Sequence, residues 1–257
     1  MSTVVEPAFK DHFSCNSSDY AAYRPAYPPE LFAWLAAQVQ NRGQAWDCAT
    51  GSGQAALGLA SHFQNVAATD ASADQIAQAR PHGRVIYRVA PAESSGLPAA
   101  SVDLVSVAQA VHWFDLPAFH AEVKRVLKPG GALAIWCYER LRVEPVLDES
   151  IEDFYCRQLG PYWPPERRHV EAGYRVLDFP YREAYVPAFT MGAAWNLDQL
   201  MGYFATWSAV KACRRATGRD PLPALRDRLA GAWRGSGVSL AKPKIIKWPL
   251  SLRFGRA

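Results

Sequence analysis

The sequence predicts an α/β fold, a mixed and mostly parallel sheet with helices on both faces, from three observations. Short apolar runs alternate with helical patterns from about residue 45 to residue 138. Glycines 51 and 53 occupy the turn Asp47-Cys-Ala-Thr-Gly-Ser-Gly53, where the first of those runs hands over to a helix. An acid, Asp70, closes the next run, seventeen positions after Gly53.

Each element follows in order. The stretch Tyr20-Ala-Ala-Tyr-Arg-Pro-Ala-Tyr-Pro-Pro29 carries prolines that forbid a regular helix, and a helix follows over about residues 30–40. Residues 45–49 read as the first strand and 54–63 as a helix with Ala56, Leu59, Ala60 and Phe63 on one face. Residues 65–69 make the second strand, 73–80 a helix stopped by Pro81, 84–89 the third strand and 102–107 the fourth. Residues 117–128 form a helix with a stripe of Phe119, Val123, Val126 and Leu127, broken by Pro129-Gly-Gly131 before the fifth strand, 132–138.

Past Tyr138 the alternation stops. Residues 144–180 read as helical and proline-broken, an insertion covering the active edge of the sheet. A sixth strand is expected over 185–191, helices over 197–213 and 222–234, and a last antiparallel strand over 245–254, where Ile246, Trp248, Leu250, Leu252 and Phe254 alternate. The 257 residues suit one domain. Within it the expected divisions are an N-terminal lid (1–40), a cofactor-binding core (41–140), a helical cap (141–240) and a last strand (241–257).

Composition narrows the function. Apolar residues make up 49% and charged residues 20%, enough to bury a core. No run approaches the roughly 20 apolar residues of a membrane span, and residues 1–10 lack a secretory pattern. The five cysteines show no CxxC spacing and the six histidines no metal-ligand cluster, so reduced thiols, a cytoplasmic setting and no metal are expected. From Lys211 onward twelve Lys/Arg face only Asp220 and Asp227, a charge of +10, so the rest of the chain carries −6. A solvated basic face is the expected reading, with nucleic acid an unlikely partner.

The glycine turn also satisfies a GxGxxA dinucleotide pattern through Gly51, Gly53 and Ala56. Asp70 suits the ribose of any adenosyl group. Asp47 separates the two cofactor classes: it repels a pyrophosphate but favours a cationic sulfonium and ammonium. The chain also lacks a YxxxK pair for proton transfer to a carbonyl. A nicotinamide-dependent oxidoreductase remains the first alternative and a non-enzymatic nucleic-acid-binding module the second.

The ordered segments Asp47-Cys-Ala-Thr-Gly-Ser-Gly-Gln54, Thr69-Asp-Ala-Ser72, Pro91-Ala-Glu93, Ser101-Val-Asp-Leu104, Ala108-Gln-Ala-Val-His-Trp-Phe-Asp115 and Arg125-Val-Leu-Lys-Pro-Gly-Gly131 resemble the class I S-adenosylmethionine-dependent methyltransferases. The resemblance is to the type 11 group that includes trans-aconitate methyltransferase-like proteins, and it covers roughly residues 12–140. It implies a Rossmann-like seven-stranded sheet in the order 3-2-1-4-5-7-6, S-adenosyl-L-methionine as cofactor and a small-molecule methyl acceptor. It implies that Asp47, Gly51 and Gly53 cradle the methionine portion and that Asp70 holds the ribose. Ala71, Ala92 and Glu93 would surround the adenine, with Gln109 and Ala110 beside the reacting methyl. Ala49 stands where the family usually has glycine, a substitution that is costly wherever φ is positive.

His112 is a candidate base, with Trp113 beside it shaping the pocket. Tyr20, Tyr23, Arg24 and Tyr27 are spaced to fold over the cofactor, with Arg24 able to grip a carboxylate. Tyr138 and Trp207, together with Lys211, are candidates for the acceptor's wall. The expected reaction is methyl transfer to an oxygen or nitrogen of a small molecule, a carboxylic acid among the options.

Overall fold

The computed structural model describes residues 23–235 and 239–256, so Tyr20 lies outside the described residues. Strand β1 (Gln44–Cys48) is flanked in parallel by β2 (Asn65–Asp70) and β4 (Val102–Ala108). β3 (Val85–Val89) extends the sheet beyond β2, and β5 (Leu127–Tyr138) extends it beyond β4, both in parallel. β8 (Lys244–Arg256) then runs antiparallel to β5. The order runs β3-β2-β1-β4-β5-β8, and the sixth strand lies beyond β8.

The sixth strand departs from the expected single run over 185–191. It is two pieces, β6 (Arg182–Glu183) and β7 (Phe189–Trp195), both on the side of β8 away from β5. Arg182 sits opposite Arg256 and Phe189 opposite Leu250, so the two pieces follow one another along one edge. The Ala184 amide donates to the Phe254 carbonyl at 3.0 Å. Pairing then lapses around Pro187, which has no N–H to donate. Counted as one interrupted strand, β6 and β7 complete the seven-stranded order.

The central parallel strands are apolar on both faces, as a sheet covered on both sides requires. Ala45, Ala68, Leu104 and Trp136 pack under α1 (Pro29–Ala37) and α2 (Gln54–Ala60). Trp46, Ala67, Val105 and Ile135 face the opposite way, toward α4 (Leu116–Val126). The Phe32 ring lies so close over Gly58 that an added Cβ would come within 2.2 Å of it, so only glycine lets α1 and α2 approach this closely. Helix α3 (Ala73–Ala77) is shorter than expected, as is α2, although Phe63 stays buried through a turn closed on Leu59. β5 starts at Leu127, not 132: the strand continues through Pro129-Gly-Gly131, where its pairing with β4 lapses between Leu127 and Ala132 in a bulge opposite residues 102–104.

A third apolar cluster builds the cap. Helix α5 (Pro145–Asp153) runs into a π-helical turn, Phe154–Gln158, and is followed by the short α6 (Arg167–Glu171). α7 (Leu197–Ala205), α8 (Ser208–Thr217) and α9 (Leu222–Gly235) close around Leu147, Ile151, Phe154 and Trp248. The helix expected over 197–213 is thus divided. The Thr206 hydroxyl donates to the Tyr203 carbonyl at 2.7 Å, and Trp207 turns extended to pack 4.8 Å from Phe204. Aromatic packing overrides the helical period there. Among the described residues no helix is long and apolar enough to cross a membrane.

Candidate active site

The C-terminal edge of the parallel strands brings the first set of candidates together. The Thr50 amide donates to the Thr69 carbonyl at 2.9 Å, lacing the turn after β1 to β2. The Asp70 carboxylate accepts the Gly51 amide at 2.8 Å through one oxygen and the Ser72 amide at 2.9 Å through the other. An ionised carboxylate offers about four acceptor sites, the kind of group that a ligand's hydroxyls donate to. Ala71 lies between these two anchors, partly exposed.

Asp47 is fully buried beneath the turn. Its oxygens accept the Thr50 hydroxyl at 2.5 Å and the Ser106 hydroxyl at 2.7 Å. Burial pushes its carboxyl up to about 6 against these hydrogen bonds, and the charge of Asp70 adds to the rise. Three residues of the turn lie in the left-handed region: Ala49 at φ 54°, Gly51 at 56° and Gly53 at 89°. A Cβ on Gly53 would fall 2.3 Å from the Tyr87 hydroxyl, so the glycine is required twice over. Ala49 carries the strain that glycine would avoid.

At the end of β4, Gln109 is held at φ 62° with its amide donating to the Trp136 carbonyl at 2.8 Å. Its Nε2 is buried with no partner among the described residues, and a buried donor left so is costly unless a ligand meets it. Ala110 begins a short 3-10 turn, Val111–Trp113. His112 Nδ1 sits 2.9 Å from the Tyr174 hydroxyl, its ring 4.8 Å from Trp113 and 5.7 Å from Tyr174. Burial, with the nearby Arg167 and His169, brings His112 down to about 3, so its imidazole is neutral.

Ala92 is buried, and Glu93 accepts the Asp115 amide at 3.0 Å. Their loop is pinned by an anchor that sequence reasoning missed. Glu122 accepts the amide and hydroxyl of Ser95 and pairs with Arg125 at 2.7 Å. The Arg125 hydrogen bond, foremost, and those from Ser95 hold the Glu122 carboxyl down at about 2.

The second set lies over β5 and the cap. The Tyr23 ring packs on Gly202. The Arg24 guanidinium lies 5.8 Å from the Tyr138 ring and 6.0 Å from that of Tyr203. The Pro25 carbonyl accepts from Gln54 Nε2 at 2.9 Å, tying the N-terminal segment to the glycine turn, and Tyr27 meets Trp136 edge-on at 5.6 Å. Trp207 and Tyr203 line a crevice just past the end of β5, together with Tyr155 and Arg167. Lys211 follows one turn along α8, its amide donating to the Trp207 carbonyl. Sequence reasoning named neither Tyr155, Arg167 nor Tyr174; no periodicity or motif marks them.

Comparison with known proteins agrees with this geometry. Residues 46–135 match the methyltransferase domain family. A Dictyostelium discoideum protein described as a methyltransferase is 34% identical over 230 residues, 88% of each chain. An uncharacterized methyltransferase of Mycobacterium tuberculosis is 36% identical over 119 residues, covering 45% of this chain and 47% of that one. A solved structure from Anaeromyxobacter dehalogenans, described as a type II methyltransferase, shares 48% identity with a TM-score of 0.86 and covers 91% of this chain and 97% of its own. Hydride transfer to a nicotinamide and a purely binding role give way before these likenesses. With the strand order and the laced glycine turn, they establish that the chain belongs to the class I methyltransferase family.

Proposed function

We propose that the protein transfers the methyl group of S-adenosylmethionine to an oxygen or nitrogen of a small molecule. The observation that carries this reading is the lacing of the glycine turn to Asp70 through the Gly51 amide. It sets a carboxylate for ribose hydroxyls beside a backbone that a ligand can touch. The residues fit the cofactor: Gln109 Nε2 is a buried donor in want of an acceptor, which the methionine carboxylate provides. Asp47 supplies negative charge under the turn for a cation.

In this reading Asp47, Gly51 and Gly53 hold the methionine portion, Asp70 the ribose, and Ala71, Ala92 and Glu93 the adenine. Bound there, the cofactor supplies a methyl group already activated on sulfur. The protein's work is then alignment and exclusion of water. Tyr23, Arg24 and Tyr27 cover the site from the N-terminal side, while Trp113, Tyr138 and Trp207 wall the acceptor. His112, neutral and fixed by Tyr174, serves as a polar wall; a group of pKa about 3 attracts a proton too weakly to be an effective base near neutrality.

A small-molecule acceptor is favoured over nucleic acid by the fate of the basic C-terminal residues. Arg214, Arg226, Arg228, Lys244 and Arg253 all pair with acids of this same chain. The match of residues 46–135 supports the type 11 group, and a place within it beside the trans-aconitate methyltransferases rests on the ordered motifs alone. Calorimetric titration tests the proposal: wild-type protein binds S-adenosylmethionine and S-adenosylhomocysteine, and failure to bind either overturns it.

A further inference from the structure

The crevice past the end of β5 holds a cation that no carboxylate neutralises directly. Arg167, the first residue of α6, is partly buried and lines this crevice. Its Nε donates to the Tyr155 hydroxyl at 2.7 Å, and that hydroxyl donates in turn to Glu171 at 2.7 Å. The guanidinium is 5.6 Å from the Tyr155 ring and 4.9 Å from that of Trp163. Among the described residues Arg167 makes no ion pair. The acids lining the same crevice are all engaged. Glu152 pairs with Arg140, Asp148 accepts the Val143 amide at 2.7 Å, and Glu139 accepts the Ser251 hydroxyl at 2.7 Å. What remains is a guanidinium with its Nη edge unused, seated by the rings of Tyr155 and Trp163 in a crevice that Tyr203 and Trp207 also line.

We propose that this crevice binds the methyl acceptor and that Arg167 grips a carboxylate of that acceptor as a handle, methylation falling on a different atom of the same molecule. The proposal rests on the methyl-transfer reading above. A guanidinium meets a planar carboxylate through two parallel hydrogen bonds, a geometry that a point charge does not reward. The same pairing engages both carboxylate oxygens, so the gripped group is a poor nucleophile.

Sheet geometry gives the reach. Neighbouring strands lie about 4.8 Å apart, and β4, whose end carries Gln109, stands between β1 and β5. The mouth of the crevice, past the end of β5, therefore lies on the order of 10 Å across the sheet edge from the glycine turn. One aromatic ring or a short unsaturated chain fills the space between, and the aromatic walls favour such a flat body. The acceptor class is a planar carboxylic acid bearing a hydroxyl or amine at its far end. In the transfer the acceptor's oxygen or nitrogen bonds to the methyl carbon and the sulfur–carbon bond breaks with its electron pair left on sulfur. The acceptor's proton is released to solvent as the products leave.

The test uses full-length protein saturated with S-adenosylhomocysteine, titrated with 4-hydroxybenzoate and with 4-hydroxybenzamide, which has nearly the same shape without the charge. The acid binds at least tenfold more tightly than the amide. In Arg167→Gln the two bind alike while S-adenosylhomocysteine binds as in wild type. Should that variant not fold, Arg167→Lys, which keeps the charge and loses the fork, reads the same point: the preference for the acid falls at least threefold. With labelled methyl donor, a panel of hydroxybenzoates and aminobenzoates yields alkali-stable ethers or N-methyl products. Equal binding of acid and amide, no binding of either, a preference that survives both substitutions, a methyl ester as product, or no alkali-stable product overturns the proposal. Failure of S-adenosylhomocysteine to bind in the first step is the separate failure of the methyl-transfer reading.

Discussion

The Gly51 amide donates to the Asp70 carboxylate across 2.8 Å, so the acid that ends β2 is held by the turn that ends β1. Replacing Asp70 by Ala therefore removes a ribose acceptor and loosens the turn beneath the methionine portion. Affinity for S-adenosylmethionine falls about ten- to hundred-fold, from charge-assisted contacts worth about 1.5–3 kcal/mol. Isothermal calorimetry reads the loss directly. An affinity equal to wild type would falsify the assignment of Asp70 to the ribose.

Ala49 sits two residues before Gly51 in the same turn, at φ 54°. A residue with a Cβ in the left-handed region costs about 1–2 kcal/mol, and glycine gives back about 0.5–1 kcal/mol through the entropy of the unfolded chain. Ala49→Gly is accordingly more stable by up to about 1.5 kcal/mol, the difference of those two effects. The urea midpoint rises with an unchanged slope. A midpoint that stays or falls shows that the turn carries no strain at this position.

The sheet edge proposed to hold the cofactor was legible because its parts lie close in sequence. The turn, Asp70 and the end of β4 follow strands whose apolar runs mark their own boundaries, so Asp47, Gly51 and Gln109 could be placed at one sheet edge before any coordinates. The residues proposed to face the acceptor were not legible, for a physical reason. Tyr174 meets His112, and Arg167 meets Tyr155, only through packing of the cap, where short helices and a π-helical turn leave no regular period. The two misplaced elements of the cap have local causes of the same kind. Pro187 interrupts the sixth strand in the middle of an apolar run, and the contacts of Trp207 with Phe204 and Tyr203 divide one helical pattern into two helices.

Glu122 anchors the loop that carries Ala92 and Glu93, and its acid strength makes the anchor measurable. Its carboxyl lies at about 2 instead of the ordinary 4.5, chiefly through Arg125. A carboxyl lowered by folding contributes stability above its unfolded value, and that contribution is lost as pH falls from about 4.5 toward 2. Glu122→Gln is less stable at neutral pH by about 1–3 kcal/mol, the cost of a charge-assisted network with one partner removed. Arg125 is well exposed, so solvent screens its share. Thermal melting across this window shows wild type and variant converging as the pH falls; parallel curves argue that Glu122 does not pin the loop.

Two groups of the site titrate on opposite sides of their ordinary values, and pH separates their roles. Asp47 is raised to about 6 by burial and His112 lowered to about 3 by burial. A cationic cofactor binds best over an ionised Asp47. The ionised fraction of such a group grows about tenfold from pH 5 to pH 7, and cofactor affinity rises by about that factor across the same range. The effect on the free protein has the opposite sign. A carboxyl raised by folding loses its stabilising proton as pH climbs from the unfolded value through about 6, so wild type without cofactor becomes less stable over that interval. Asp47→Asn removes both trends, leaving affinity low and flat with pH. His112→Gln leaves the limb near pH 6 in place, because a neutral imidazole has no proton to lose there. Calorimetric titrations of the two variants from pH 5 to pH 8 distinguish the assignments: a limb that vanishes with His112→Gln and persists with Asp47→Asn reverses them and returns His112 to the role of base.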